Sequence, residues 1–360
     1  MSSAPPKNNT AIDTNFMRIA LSLAERQLGC AWPNPSVGAV LVKNGHIIAQ
    51  GATAAGGRPH GETVAIEQAG ANAHGATLYV TLEPCSHQGK TPPCTHAILA
   101  AGIRRCVIAC RDPNPLVNGQ GIRALQEAGL EVVEGICEDE ARALNRGFFT
   151  NIEKKRPYIA LKLATSLDGK LAFPQGDSRR WITSEAARHY GQLLRSQYDA
   201  IVTGIGTVLA DDPLLTCRLP GLEHRSPVRI VFDSNGRLPA GSQLVQTAKQ
   251  YPVWQLTHTS TTRLPITHLS CTTDAKQRID LDKALELLAQ QGITRLLVEA
   301  GAALSHSFLA SGYVDRIYWF RAPIMIGEGG LAVPVSTTLA PWRHTRHIAL
   351  PPDQLDIFDV

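Results

Sequence analysis

The chain has little of what would send it to a membrane, out of the cell or onto nucleic acid. Aromatic residues make up 6% of its 360 residues and methionines number 3. No stretch approaches the roughly 18 uncharged apolar residues of a bilayer span. The opening residues are polar, with no apolar core behind a basic start, so no signal peptide is expected. Cysteine is modest at 8, and without a secretory signal the thiols are expected as free groups or ligands rather than disulfides. The formal net charge of +4 comes without any dense Lys/Arg run, which argues against a nucleic-acid partner. No Gly-x-Gly-x-x-Gly follows a strand, so a Rossmann dinucleotide site is not supported. There is no internal repeat and no low-complexity segment. What remains is a cytoplasmic protein with enough apolar material, 44%, for two cores, and a mild positive charge that suits a small phosphorylated ligand.

Two α/β regions are legible. In the first, a helix is expected from Thr14 to about Leu28, with Asp13 or Thr14 as its cap. Val37 to Val42 and His46 to Gln50 read as strands joined by Asn44-Gly45, a type I′ hairpin signal. Alternating segments follow: helix Glu62 to Ala73, strand Thr77 to Leu82, helix Cys94 to Ala101, strand Arg105 to Ala109, helix Ile122 to Ala128 and strand Leu130 to Val133. The run Asn151 to Pro157 breaks periodicity with charge and a proline, which places the domain boundary at 152/153. The alternation then restarts. Strands are expected at Tyr158 to Leu163, Asp199 to Thr203, Val228 to Phe232, Val253 to Thr257, Thr294 to Glu299 and Val314 to Phe320. Helices are expected from a Thr183 cap to about Gln197, from Asp282 to Gln290, and from Gly301 through Leu309.

The chemistry concentrates at His60-Gly61-Glu62, Pro84-Cys85 and Cys94. One histidine and two thiolates make a three-ligand zinc set that leaves a position open for water, the mark of a catalytic rather than a structural site. Zinc lowers the pKa of such a water toward neutrality. Glu62, two residues beyond the ligand His60 and at a helix start, is placed to move protons without binding the metal. Cys94 also opens a helix, where the dipole favours thiolate. His-x-Glu followed by Pro-Cys and a second Cys is a zinc-deaminase pattern. The usual cysteine spacing is three; here it is nine, with Ser-His-Gln-Gly-Lys-Thr-Pro-Pro between, which reads as a loop returning to the helix start. A structural zinc would need a fourth ligand, for which His87 and His96 are the candidates.

The segment Pro84-Cys85-Ser86-His87-Gln88-Gly89-Lys90-Thr91-Pro92-Pro93-Cys94 closely resembles the deaminase half of the bifunctional riboflavin-biosynthesis deaminase/reductase family. Pro33-Asn34-Pro35-Ser36-Val37-Gly38, Asp112-Pro113-Asn114-Pro115, Ser166-Leu167-Asp168-Gly169-Lys170, Val208 to Thr216 and Val298-Glu299-Ala300-Gly301 are similar to that family as well, in order along nearly the whole chain. The resemblance implies a cytidine-deaminase-like α/β/α domain over 1–152 and a dihydrofolate-reductase-like α/β domain over 153–360. It implies Zn2+ and NADPH as cofactors, a phosphorylated pyrimidine as substrate, and a homo-oligomer. Two reactions are implied: hydrolytic deamination of 2,5-diamino-6-ribosylamino-4(3H)-pyrimidinone 5′-phosphate, then reduction of the ribosyl side chain to ribityl. It further implies that Asn34, His87, Lys90, Asp112 and Asn114 line the deaminase pocket. For the reductase it implies cofactor contacts at Ala164, Trp181, Thr207, Asp211, Ser234, Gly301, Ala302, Ala303, Leu304, Ser305, His306 and Ser307. Substrate contacts are implied at Ser178, Arg195, Leu215, Arg218 and Glu299. Guanidinium forks at Arg195 and Arg218 suit a phosphate, and backbone N–H groups at the helix after Gly301 suit a cofactor phosphate. Asp211 and Glu299 are the candidate acids for the hydride step.

This chain departs from the family at two places: Gly61 stands where Ala is frequent, and Thr53 where a His is frequent. Two other readings compete with the bifunctional enzyme. One is a single-function nucleobase or tRNA deaminase with an accessory nucleotide-binding domain. The other is a binding module whose zinc is structural.

Overall fold

A computed structural model describes residues 10–89, 92–115, 117–259, 264–333 and 341–360. The chain divides into two compact units, Met1–Lys154 and Lys155–Val360. Among the described residues, no helix is long and apolar enough to cross a membrane.

The first unit runs α1 (Thr10–Glu25), β1 (Gly38–Lys43), β2 (His46–Ala52), α2 (Gly61–Ala69), β3 (Thr77–Val80), α3 (Cys94–Ala100), β4 (Arg105–Ile108), α4 (Gln120–Glu127), β5 (Glu131–Glu134), α5 (Glu138–Leu144) and α6 (Arg146–Lys154). Its sheet has the order β2-β1-β3-β4-β5. β1 is antiparallel to both neighbours, while β3, β4 and β5 run parallel. The hairpin turn has Asn44 and Gly45 both at positive φ, 53° and 78°, the conformation that Asn-Gly tolerates at low cost. Gly38 lies against the backbone of α1 and Gly51 against that of α2. Gly51 is paired with Ala39, the neighbour of Gly38, so the two glycines face opposite sides of the sheet and the helices cover both faces. The stripe Met17, Ala20, Leu21 and Ala24 of α1 is buried, as its spacing requires.

Helix α1 begins at Thr10, ahead of the expected cap. Asp13 therefore lies inside the helix, buried, where it takes both Arg105 nitrogens at 2.9 Å and the Tyr79 hydroxyl at 2.8 Å. It is a core ion pair and not a cap. The charged run at 151–154 is likewise the end of helix α6 rather than a linker.

The second unit runs β6 (Tyr158–Thr165), β7 (Lys170–Ala172), α7 (Glu185–Arg195), β8 (Ala200–Gly204), α8 (Ile205–Asp211), β9 (Val228–Phe232), α9 (Gln243–Gln246), β10 (Val253–Thr257), β11 (Thr267–Ser270), α10 (Leu281–Gln290), β12 (Arg295–Val298), α11 (Ala302–Ala310), β13 (Arg316–Arg321), β14 (Leu331–Ala332), β15 (Arg343–Leu350) and β16 (Asp353–Asp359). Among the described residues, nine strands form one sheet in the order β11-β10-β9-β8-β12-β6-β13-β16-β15. It is parallel from β11 to β13, and β16 and β15 close it antiparallel. β7 and β14 form a separate ribbon. Helix α7 is capped by Ser184, whose Oγ accepts the Ala187 N–H, one residue beyond the expected Thr183. Leu296, Leu297 and Val298 of β12 are fully buried. That burial puts the next residue, Glu299, at the end of a central parallel strand.

Candidate active site

Three segments bring the predicted donor set together. His60 is the N-cap residue of α2, Cys94 is the first residue of α3, and Cys85 follows β3. His60 Nδ1 lies 3.2 Å from Cys94 Sγ and 3.8 Å from Cys85 Sγ. The long excursion between the cysteines does return: Cys94 N–H donates to Cys85 Sγ at 3.4 Å, and Thr95 N–H to the Cys85 carbonyl at 3.2 Å. Lys90 lies outside the described residues.

The donor set fits zinc. Tetrahedral zinc, with bonds of about 2.3 Å to sulfur and about 2.0 Å to nitrogen, holds its donor atoms about 3.5–3.8 Å apart. The three atoms here lie within 4.8 Å of one another, with no fourth His, Cys, Asp or Glu in the group among the described residues. His87 and His96 are both exposed, so neither completes a closed structural site. Contacts with Cys94 and His60 hold the Cys85 thiol down at about 4. The same contact with Cys85, together with burial, pushes Cys94 up. Cys85 also raises His60.

Glu62 is the second residue of α2, in its first turn and 3% exposed, and burial raises its carboxyl. Its Oε2 finds no hydrogen-bond donor among the described residues. A buried carboxylate oxygen left without a donor beside an open metal set is what a proton carrier requires.

Around this centre, Asn34 Nδ2 donates to the Gly57 carbonyl at 2.8 Å and stands 3.3 Å from His60 Nε2. Asp112 is buried, which raises its carboxyl to about 6, and its Oδ1 accepts the Asn114 N–H at 2.8 Å. His87 is exposed. Thr53 is 1% exposed, and its Oγ1 accepts the Val37 N–H at 3.0 Å, so this side chain serves the loop before β1.

In the second unit, Glu299 is the centre of a charged cluster. Arg195, the last residue of α7, grips it with Nε and Nη2 at 2.8 and 2.9 Å and gives Nη1 to the Thr216 carbonyl at 3.0 Å. Lys162 Nζ of β6 stands 3.5 Å from Glu299 Oε2. Burial by itself would raise Glu299, but Arg195 and Lys162 hold it at about 2. The Arg195 fork is thus engaged by a carboxylate of its own chain. Arg218 is exposed, with Nη1 3.5 Å from Thr216 Oγ1. Leu215 has a buried side chain at φ 55°, which turns its backbone sharply.

At the predicted cofactor side, Thr207 Oγ1 accepts the Gly301 N–H at 3.1 Å, tying α8 to the N-cap of α11. Ala302, Ala303, Leu304 and His306 range from half-buried to exposed, whereas Ser305 is buried and donates to the Ala300 carbonyl. Ser307 donates to the Ala303 carbonyl. Ser234 Oγ accepts the Ile279 N–H. Trp181 is 58% exposed, with the Arg180 and Arg188 guanidinium groups 5.0 and 5.1 Å from its ring centre. It is not a core tryptophan. Ser178 and Asp211 are exposed, and Ala164 is half-buried on β6.

Comparison with known proteins agrees with both halves. Residues 10–110 match the family described as cytidine and deoxycytidylate deaminase zinc-binding region, and residues 157–354 match the RibD C-terminal domain. The chain is 45% identical to the riboflavin biosynthesis protein RibD of Aquifex aeolicus, over 88% of this chain and 89% of that one. It is 42% identical to RibD of Escherichia coli, again over 88% and 89%. The chain belongs to the RibD family. Among solved structures it is similar to RibD of Acinetobacter baumannii, with a TM-score of 0.88 at 37% identity, covering 98% of this chain and 99% of that one. It is similar to the diaminohydroxyphosphoribosylaminopyrimidine deaminase/5-amino-6-(5-phosphoribosylamino)uracil reductase of Thermotoga maritima, with a TM-score of 0.87, 37% identity and the same coverage. RibD proteins join a zinc-binding deaminase to a reductase, consistent with Zn2+ and NADPH as cofactors. A RibD match over both units leaves the accessory-domain reading without support.

Two residues of this RibD chain were not found by reading the sequence. Lys162 sits within an unbroken apolar-looking strand, and only its strand parity with Ala160 signals which face it takes. Glu83 precedes Pro84-Cys85 and is 3% exposed; its carboxylate accepts the N–H groups of Asp112, Gly119, Gly121 and Ile122. Its partners are 29 to 39 residues away, beyond any local pattern.

Proposed function

We propose that the first unit deaminates 2,5-diamino-6-ribosylamino-4(3H)-pyrimidinone 5′-phosphate and that the second reduces the ribosyl chain of the product to ribityl. The observation that carries this reading is the open three-donor set of His60, Cys85 and Cys94 with the unpartnered Glu62 oxygen beside it. Zinc held by these three residues would supply Lewis acidity and lower the pKa of a water toward neutrality. Glu62 takes the proton of the attacking water on its carboxylate and passes it to the departing amine. Its raised pKa suits that double role. Asn34, Asp112 and Asn114 hold the amide edge of the ring, while His87 and Lys90 meet the ribose phosphate.

For the second step, Ala164, Trp181, Thr207, Asp211, Ser234 and the 301–307 segment would hold NADPH, which would supply the hydride. Ser178, Leu215 and Arg218 hold the substrate. Reduction at C1′ of the ribose needs a proton at the ring oxygen as the ring opens. Lys162 is the donor best supported, since it is a cation beside the buried Glu299, and Arg195 fixes that carboxylate. Family resemblance supports a cytoplasmic homo-oligomer.

Metal content and product analysis on the purified chain test the reading. Ammonia release from the pyrimidinone phosphate without NADPH, followed by NADPH oxidation only after deamination, is expected. Ammonia release from free cytosine or tRNA instead would sink it.

A further inference from the structure

Glu83 is a buried carboxylate that the deamination chemistry above does not use. It leaves the chain two residues before Cys85, and its own N–H is fixed to the Cys110 carbonyl at 2.9 Å. Its two oxygens divide four backbone donors between them. Oε2 takes the Asp112 N–H at 3.3 Å and the Gly119 N–H at 2.9 Å; Oε1 takes the Gly121 N–H at 3.0 Å and the Ile122 N–H at 3.3 Å. Two of those donors lie in the first turn of α4, and the other two lie in the segment that leads to it. The contact is close in the backbone as well: a Cβ on Gly121 would come within 2.0 Å of the Pro84 carbonyl. The strand end that delivers Cys85 and the segment that delivers Asp112 and Asn114 are thus joined through one side chain.

We propose that Glu83 is a positioning residue of the deaminase, holding Asp112 and Asn114 at a fixed place relative to Cys85. The proposal rests on the reading that Asp112 and Asn114 line the substrate pocket. A carboxylate is suited to the task because it is acceptor on both oxygens. Glutamine is nearly isosteric but presents an NH2 group to two of the four N–H donors, so half of the clamp becomes repulsive.

The test uses the full zinc-loaded chain with the pyrimidinone phosphate as substrate. Glu83→Gln is expected to raise the deaminase KM about tenfold or more with kcat within about threefold, the pattern of binding lost equally in the ground and transition states. Zinc content and the reductase rate stay at the wild-type level. Asp112→Asn controls the reading beneath it and is expected to raise KM as well. If Asp112→Asn raises KM and Glu83→Gln does not, the clamp is wrong and the pocket reading survives. If neither Asp112→Asn nor Asn114→Ala moves KM, the pocket reading fails and takes the proposal with it. Should Glu83→Gln lose zinc, Glu83→Asp, which keeps an acceptor-only carboxylate on a shorter arm, is measured the same way. A raised KM at full zinc supports the clamp, and zinc loss in that variant too overturns it in favour of a purely structural role.

Discussion

Gly61 lies against the carbonyl of Val37: a Cβ added to it would come within 2.6 Å of that oxygen and 3.2 Å of the Ala52 Cα. The same Val37 gives its N–H to Thr53 Oγ1. Positions 53 and 61 therefore touch one backbone unit. Thr53 anchors Val37, and Val37 occupies the space that a side chain at 61 would need.

Gly61→Ala is accordingly expected to impair this chain. The backbone at the start of α2 must shift, and that start carries both His60 and Glu62. A small misplacement of reacting groups is costly, so deaminase kcat should fall about tenfold or more. Reductase turnover of supplied intermediate should not change. Steady-state kinetics of both half-reactions check this, and wild-type deamination by the variant would contradict the close approach.

Glu62→Gln separates proton transfer from metal binding. Glutamine keeps the shape but cannot carry a proton, so deamination should fall by about two to four orders of magnitude. Zinc measured by elemental analysis should stay at the wild-type level, because Glu62 is outside the donor group. Zinc loss would make Glu62 a ligand and remove its assigned role.

Much of this centre was legible because its signals are local. His60 and Glu62 are two apart, Pro93 marks the start of α3, and glycine and proline in the 86–93 stretch announce a loop. Asn44-Gly45 likewise specified its own turn. What escaped depends on distant partners. Asp13 looks like a cap until Arg105, 92 residues on, buries it. Glu83 looks like any acid until four N–H groups converge on it. β15 reads as a polar segment because Arg343 through His347 are exposed, and its strand character comes from pairing with β16. Helices α5 and α6 were hidden by their charge density.

The Glu299 cluster predicts a pH dependence. Its folded pKa, about 2, lies below the ordinary value of 4.5. The stabilisation from ionised Glu299 is therefore complete above about pH 4.5 and is lost as pH falls through 2; the size is on the order of 3 kcal/mol. Urea denaturation of wild type and Glu299→Gln between pH 6 and 2 should show the difference between them shrinking with acidification. Arg195→Met leaves a buried carboxylate with Lys162 as its remaining cation in the cluster, and should cost about 3 kcal/mol or more at pH 7. A difference that stays flat with pH would mean that Glu299 is not held ionised by its neighbours.

Removing the metal exposes an asymmetry between the two cysteines. Contacts with Cys94 and His60 hold the Cys85 thiol down at about 4, while the contact with Cys85 and burial push Cys94 up. Cys85 is half-buried and Cys94 buried, so access favours the same residue. Alkylation of chelator-treated protein, mapped by mass spectrometry, should label Cys85 first and at a rate nearly constant from about pH 6 to 8, since its thiolate fraction is already saturated there. The thiolate's low basicity keeps the absolute rate modest. Reloading zinc should protect both cysteines and restore deamination, while reduction continues through the whole cycle because the donor set lies in the first unit. Labelling that begins at Cys94, or a rate that climbs through pH 8, would show that Cys85 is not the thiol held down.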